Sequence, residues 1–136
     1  MPIRRKILVD CIPFDRGKSG ISVYTREVLR ELAACGQELT LLVEPDAKEF
    51  FPTFTCIRAP GWTRRPALSM LWHLLILPFH LRRLHFDFLL ITAANRRALV
   101  FYPLPTLAVV HDLAQYHIPG KYSRSRMFYL KKLLPF

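Results

Sequence analysis

The sequence predicts an α/β protein with a Rossmann-like parallel sheet and helices on both faces. Residues 6–44 run through a strand, a glycine-punctuated loop, a helix, a second glycine and another strand. Such a βαβ unit has parallel strands that helices must cover. Hydrophobic residues make up 51% of the chain, enough for a buried core and too many for a disordered chain. At 136 residues the chain has the size of one domain, so residues 1–136 are predicted to form a single domain.

The first βαβ unit is the clearest local pattern. A short aliphatic run within Lys6–Phe14, bounded by Pro13, is typical of a buried strand. Gly36 stands where a helix C-terminal glycine belongs, and Leu39–Glu44 follows as a second strand. Between them, apolar residues recur at helical spacing opposite a charged face: Ile21, Tyr24, Val28, Leu32 and Cys35.

The middle of the chain is less regular. A short strand is predicted at Thr55–Arg58. Pro66 is predicted to open a helix that continues to about Leu84, since proline is well tolerated at a first helical position. Pro78 must kink this helix, because the proline ring removes a backbone donor and clashes with the preceding turn.

The last third supplies two more buried strands and a final helix. The strands are predicted at Asp87–Thr92 and Leu107–Val110, and the helix is predicted to start near Ser123. The chain stops at Phe136, inside this helix, so we expect the domain to be truncated there.

Charge is distributed unevenly along the chain. There are 20 Lys and Arg against 10 Asp and Glu, a net charge of +10. Residues 1–50 are neutral in sum, so the excess lies in residues 51–136, whose acids are Asp87 and Asp112. This half is predicted to face an anionic partner, namely lipid headgroups, nucleic acid or a phosphorylated ligand. The alternative is that acidic residues of another domain balance this excess of positive charge.

Basic pairs alternate with aromatic residues in this second half, which is typical of membrane interfaces and of single-stranded nucleic acid binding. None of the usual nucleic-acid-binding modules is recognisable, so nucleic acid is the less favoured partner. A non-enzymatic basic module that binds anionic lipid or nucleic acid is the alternative to an enzyme. The pairs are Arg64-Arg65, Arg82-Arg83, Arg96-Arg97 and Lys131-Lys132.

Cysteine usage and hydropathy bear on location. Cys11, Cys35 and Cys56 are odd in number and widely spaced, without a CxxC motif, which predicts a reducing compartment and no metal site. No signal peptide is visible, and the uncharged stretch 66–81 is shorter than the about 18–20 residues of a spanning helix. The chain is therefore predicted to be cytoplasmic.

Candidate ligand-binding residues follow the predicted strands. The loop Gly17–Gly20 precedes a helix N-terminus, whose amides and dipole favour an anion, although an ordinary tight turn explains it equally well. The GxGxxG and Walker spacings are absent. Glu44, after the second strand, leaves mononucleotide binding open as a third interpretation.

Three polar residues follow the later strands, at the end where ligands of parallel sheets gather. His111 and Asp112 come after the strand LAVV, and Asn95 comes after DFLLIT. Neighbours in an extended chain point apart, so His111 and Asp112 are not predicted to form a dyad, and turn roles are the alternative for Asp112 and Asn95. The remaining histidines lack metal-site spacing and are predicted to bind no metal: His73, His80, His85 and His117.

The order of these segments resembles a known family. The motifs are KILVDCIPF, GKSGISVYTREVLRELA, FDFLLITAAN and PTLAVVHDLAQYHIPGKYS. Together they resemble the N-terminal domain of family-four glycosyltransferases of the GT-B fold, retaining enzymes that build bacterial envelope polysaccharides and glycolipids. The resemblance implies that Gly17, Ser19 and Gly20 line the cleft near the donor diphosphate, that His111 lies near the reacting sugar beside Asp112, and that Asn95 is a polar cleft residue.

The resemblance also sets expectations about partners. In the family this domain recognises the acceptor, a sugar or a lipid-linked sugar, and the enzymes often sit on membrane surfaces, here the inner face of an anionic membrane. The C-terminal Rossmann domain, which holds the nucleotide sugar and an E-x7-E motif, is absent from residues 1–136. We therefore expect no transfer by this chain alone, no cofactor besides the nucleotide-sugar substrate, and self-association through the face that would meet the absent domain.

Overall fold

The structure, a computed structural model, describes residues 3–95, 97–111, 123–128 and 132. Its described strands form one parallel sheet in the order β3-β2-β1-β4-β5, which confirms the predicted α/β class. The strands are β1 (Lys6–Asp10), β2 (Glu38–Val43), β3 (Thr55–Arg58), β4 (Phe88–Ile91) and β5 (Thr106–Ala108).

The strand order places a switch point beside β1. From β1 the chain moves outward through β2 to β3 and then crosses back to add β4 on the other side of β1. In the register, Leu8 of β1 stands opposite both Thr40 and Leu89. Connections leave β1 and β4 in opposite directions, so a crevice opens at their carboxyl ends.

Helix α1 (Gly20–Ala34) covers one face of the sheet as predicted. Ser19 is its N-cap, with extended backbone and a hydroxyl that accepts from the Ser22 amide at 3.3 Å. Gly36 follows the C-cap with φ +76°, the left-handed conformation expected of a terminating glycine. Leu29 of α1 packs on this face with Val9, Leu41 and Leu90.

The other face is covered by α2 (Pro66–Leu71), a π-helical segment (Trp72–Ile76) and α3 (Leu77–Leu81). The helical stretch opens at Pro66 as predicted and ends at Leu81, before the predicted Leu84, and the turn that precedes Pro78 is π-helical. Pro78 has no N–H for the Leu74 carbonyl four residues earlier. The amide of Val100 donates to that carbonyl instead, at 2.9 Å, which ties the loop after β4 to the π-helical segment.

The strand at one edge of the sheet and the last helix can each be compared with their predictions. β5 is an edge strand with Leu107 and Ala108 exposed, so the prediction of a buried strand there was wrong. The last helix starts where predicted, with α4 at Arg124–Phe128, and its predicted continuation lies outside the described residues. None of the helices described is long and apolar enough to cross a membrane.

Candidate functional site

Three segments meet at the carboxyl edge of the sheet. The loop after β1 leads into α1, a turn at 92–95 follows β4, and residues 109–111 follow β5. Backbone hydrogen bonds join them: the Thr92 amide donates to the Asp10 carbonyl at 3.3 Å and the Ala94 amide to the Val109 carbonyl at 2.9 Å. The crevice at the switch point is therefore lined by the segments that carry the predicted site residues.

The glycine loop is organised by a carboxylate of its own. One oxygen of Asp15 accepts from the amides of Lys18 and Ser19, each at 3.0 Å, and from the Ser22 hydroxyl at 2.6 Å. Two of the loop amides that were predicted to hold an anion are thus engaged within the loop. Gly20 differs, because nothing lies within 4 Å of the position its Cβ would take. A ligand can approach the backbone there.

Gly17 is required by the fold itself, which gives a stability prediction. Its φ is +79°, and an added Cβ would lie 3.2 Å from Nη1 of Arg26. We expect Gly17→Ala to lower the free energy of unfolding by about 1–2 kcal/mol, because an L-residue is strained in this region. Gly20→Ala is the matched control, with free space and an expected gain of up to about 1 kcal/mol inside a helix. Urea unfolding of both variants tests this, and equal stabilities would refute it.

Asp15 makes the stability of the loop depend on acid. Hydrogen bonds from the Ser22 hydroxyl and the Ser19 amide lower the pKa of Asp15 from 3.8 to about 2. Because the pKa is lower in the folded state, the stabilisation is complete above about pH 4, the ordinary carboxyl range, and is lost as the pH falls towards 2. We expect Asp15→Asn to flatten the fall in stability over this window, measured by urea unfolding. A curve identical to that of the exposed-acid control Glu49→Gln would contradict the prediction.

His111 follows β5 and lies at the carboxyl edge of the sheet. Its Nε2 is 2.5 Å from the carbonyl oxygen of Thr92, at the end of β4. Its ring meets the Tyr24 ring of α1 edge to face, with centroids 4.9 Å apart. The structure thus brings the residue after β5 against both the end of β4 and the first turns of α1.

The other residues predicted to bind a ligand are Asn95, Asp112 and Glu44. Asn95 is half-buried in the turn after β4, and its Oδ1 is buried and accepts no hydrogen bond from the described residues. Asp112 lies outside the described residues. Glu44 is half-buried at the end of β2, accepts from the Phe14 amide at 3.3 Å, and has a pKa raised by that burial. The ligand roles of Gly17, Ser19, Gly20, Asn95 and His111 stay predictions.

Sequence reasoning missed a buried pair beneath this crevice, Asp10 and His73. Both side chains are fully buried, and Nε2 of His73 lies 3.0 Å from Oδ2 of Asp10. The other oxygen of Asp10 accepts from the Ile12 amide at 3.0 Å. An acid ending an apolar strand and a histidine within an apolar helix were the available signals, but neither identifies its partner.

The Ser69 carbonyl shows which ring nitrogen of His73 carries a proton. Nδ1 of His73 lies 2.7 Å from the Ser69 carbonyl, which can only accept, so Nδ1 carries a proton. Nε2 lies 3.0 Å from Oδ2 of Asp10, and both atoms are buried without a hydrogen-bond partner among the described residues. Each of these buried polar atoms therefore depends electrostatically on the other.

A five-stranded parallel sheet with polar residues gathered at its switch point defines a Rossmann-like domain with a ligand crevice. A sequence model of the family described as Glycosyltransferase Family 4 matches residues 18–136. The chain therefore belongs to this family, and the GT-B resemblance is confirmed. Comparisons with curated proteins and with solved structures gave no match.

Proposed function

We propose that this chain is the N-terminal, acceptor-side domain of a retaining glycosyltransferase that uses a nucleotide sugar, in bacterial polysaccharide or glycolipid synthesis. The observation that carries the proposal is the contact between His111 and Tyr24, with ring centroids 4.9 Å apart. It brings the histidine after β5 against the helix that follows the glycine loop, in a member of Glycosyltransferase Family 4.

Each residue has a distinct task in this proposal. The open space at Gly20 lets the donor diphosphate approach the N-terminus of α1, where the helix dipole favours negative charge. In this proposal His111 holds a group of the reacting sugar, and Asn95, in the turn after β4, supplies a polar amide to the same ligand. The nucleotide and the E-x7-E glutamates belong to a second Rossmann domain, so the chain needs that domain for transfer.

The test uses the complete reading frame that encodes this chain, expressed from its start codon to its stop codon. Purified protein is incubated with radiolabelled nucleotide sugars and a lipid extract, and label in the lipid and polysaccharide fractions is counted. We expect transfer from one donor, and a loss in Gly20→Val, whose Cβ enters the open space at the start of α1. No transfer from any donor, together with a reading frame that ends at Phe136, would overturn the proposal.

A membrane location is part of the proposal, and one surface supports it. We call it the aromatic–basic face, formed by Leu71, Leu75, Phe79, Phe101 and Arg82. Leu71, Leu75 and Phe79 follow at four-residue spacing along the helical segments and are 51%, 50% and 56% exposed. The Phe101 ring packs against Phe79 at 5.1 Å, and the Arg82 guanidinium lies 4.7 Å above it.

The charge around this face favours an anionic bilayer. Arg82 lies on this face. The sequence between Glu49 and Asp112 contains one acid, Asp87, and seven arginines, although Arg97 is buried and Arg64 pairs with Asp46. Exposed apolar side chains enter the headgroup region while arginines attract acidic lipids, which is how interfacial helices bind. We therefore propose that the protein sits on an anionic membrane surface through the aromatic–basic face.

Vesicle sedimentation tests this location. We expect the protein to bind vesicles of phosphatidylglycerol and phosphatidylcholine, and Leu75→Ser/Phe79→Ser to reduce binding about tenfold or more, as each buried apolar side chain contributes about 1.5–3 kcal/mol. The control is Val23→Ser, which removes an apolar side chain that is 44% exposed on α1, on the opposite face. Equal binding by all three proteins would contradict the proposal. Dimers that the double variant abolishes would assign the face to a second copy.

A further inference from the structure

Thr92 connects the buried end of the sheet to His111. The threonine is fully buried directly after β4. Its hydroxyl donates to the Asp10 carbonyl at 2.8 Å and its amide donates to the same oxygen at 3.3 Å. Its own carbonyl faces Nε2 of His111 at 2.5 Å. One residue thus joins β1 and the predicted sugar-binding histidine.

The contact with Thr92 determines where His111 carries its proton. A backbone carbonyl has lone pairs and no proton, so Nε2 of His111 must be the donor. A neutral imidazole has one N–H, which leaves Nδ1 as an acceptor with a free lone pair. His111 is exposed, and Tyr24 packs edge to face against its ring. A neutral His111 therefore offers an acceptor at Nδ1.

We propose that Thr92 is a positioning residue that holds His111 in the Nε2–H tautomer and presents Nδ1 to the ligand. The group that meets Nδ1 must then be a hydrogen-bond donor. A sugar hydroxyl satisfies this requirement, whereas an ionised phosphate oxygen does not. The ligand assignment rests on the proposed function, and the positioning role of Thr92 does not.

The hydroxyl of Thr92 matters because it bonds to Asp10, a buried residue whose carboxyl has contacts of its own. Asp10 is held by the Ile12 amide and by His73, both at 3.0 Å. The bond from the Thr92 hydroxyl to the Asp10 carbonyl holds Thr92 in place. The Thr92 carbonyl, which contacts His111, is held with it. Thr92→Val keeps the branched shape but loses the 2.8 Å bond to Asp10, while Thr92→Ser keeps a hydroxyl at the same atom.

The tautomer is measured directly by long-range ¹H–¹⁵N correlation spectra of the histidine-labelled chain under mildly alkaline conditions. The His111 signals are identified by their loss in His111→Gln. We expect a pure Nε2–H pattern in the parent and in Thr92→Ser, and a mixture of tautomers in Thr92→Val. An Nδ1–H pattern in the parent, or an unchanged pattern in Thr92→Val, would overturn the positioning role whether or not transfer is found.

Turnover of the complete enzyme tests the ligand chemistry. We expect Thr92→Val to lower kcat about tenfold with little change in KM, and Thr92→Ser to restore it, because one weakened hydrogen bond of about 1.4 kcal/mol is a factor of ten. At position 111, Gln can accept a hydrogen bond and Lys can only donate. We expect His111→Gln to retain more transfer than His111→Lys, and the reverse order or equality would overturn the hydroxyl assignment. If no donor is transferred, the proposed function fails while the spectra still decide the role of Thr92.

Discussion

Replacing His73 with alanine is expected to lower the free energy of unfolding by about 3–5 kcal/mol, the usual cost of breaking a buried charged pair by removing one partner. Asp10 would keep a fully buried carboxyl oxygen whose contact, at 3.0 Å, is lost. The Ser69 carbonyl would lose its donor as well. Since most domains are stable by about 5–15 kcal/mol, such a loss approaches the total stability.

A double-mutant cycle separates this electrostatic loss from a simple cavity. Asp10→Asn keeps an oxygen for the Ile12 amide but removes the carboxylate. We expect His73→Ala to cost at least about 1 kcal/mol less in the Asp10→Asn background than in the parent, within the range of couplings between contacting residues. The control is Leu77→Ala, which opens a cavity in the same helical layer and should add to Asp10→Asn. Urea unfolding gives all the values, and additivity in the His73 cycle would refute a direct coupling between Asp10 and His73.

Replacing His111 with alanine is expected to lower sugar transfer by the complete enzyme about 10²-fold, the scale of losing one oriented polar group at a reacting centre. The residue is held between Thr92 and Tyr24 by contacts on two sides of its ring. Its exposed position means that the fold should tolerate the loss, so thermal unfolding should change little. The measured quantity is kcat/KM for the donor.

The matched control is another exposed histidine at the opposite end of the sheet. His85 lines a shallow groove with Lys6 and Glu38, which begin β1 and β2. His85→Ala should leave transfer unchanged. Parent-like turnover in His111→Ala would remove this residue from the mechanism, and an equal loss in both variants would indicate damage to the fold.

Elements defined by local patterns were predictable. The helix after the glycine loop was expected from Ile21 to Cys35 and is found at Gly20–Ala34, because its capping serine and closing glycine flank a clear amphipathic repeat. The strand Thr55–Arg58 was predicted with its observed bounds. Patterns among residues close together in the sequence were enough to predict both elements.

Predictions failed where a distant segment supplied the missing group. The helical stretch around Pro78 contains a π-helical turn that the sequence did not indicate, and Val100 donates to the Leu74 carbonyl there. The strand near Leu107 was expected to be buried from its apolar residues, but it lies at the edge of the described strands and Leu107 is exposed. Apolar content predicts a strand, whereas its place in the sheet decides how far it is covered.

The sequence by itself determined the α/β class, the elements with strong periodicity and the positions of Gly20, Asn95 and His111 after strands or before a helix. Only the tertiary structure decided the order of the strands, the pairing of Asp10 with His73 and the contact of Thr92 with His111. Periodicity and capping depend on residues a few positions apart, so a short stretch of sequence is enough to predict them. A hydrogen bond between distant residues depends on how the whole sheet and its covering helices pack, and no local pattern records that arrangement.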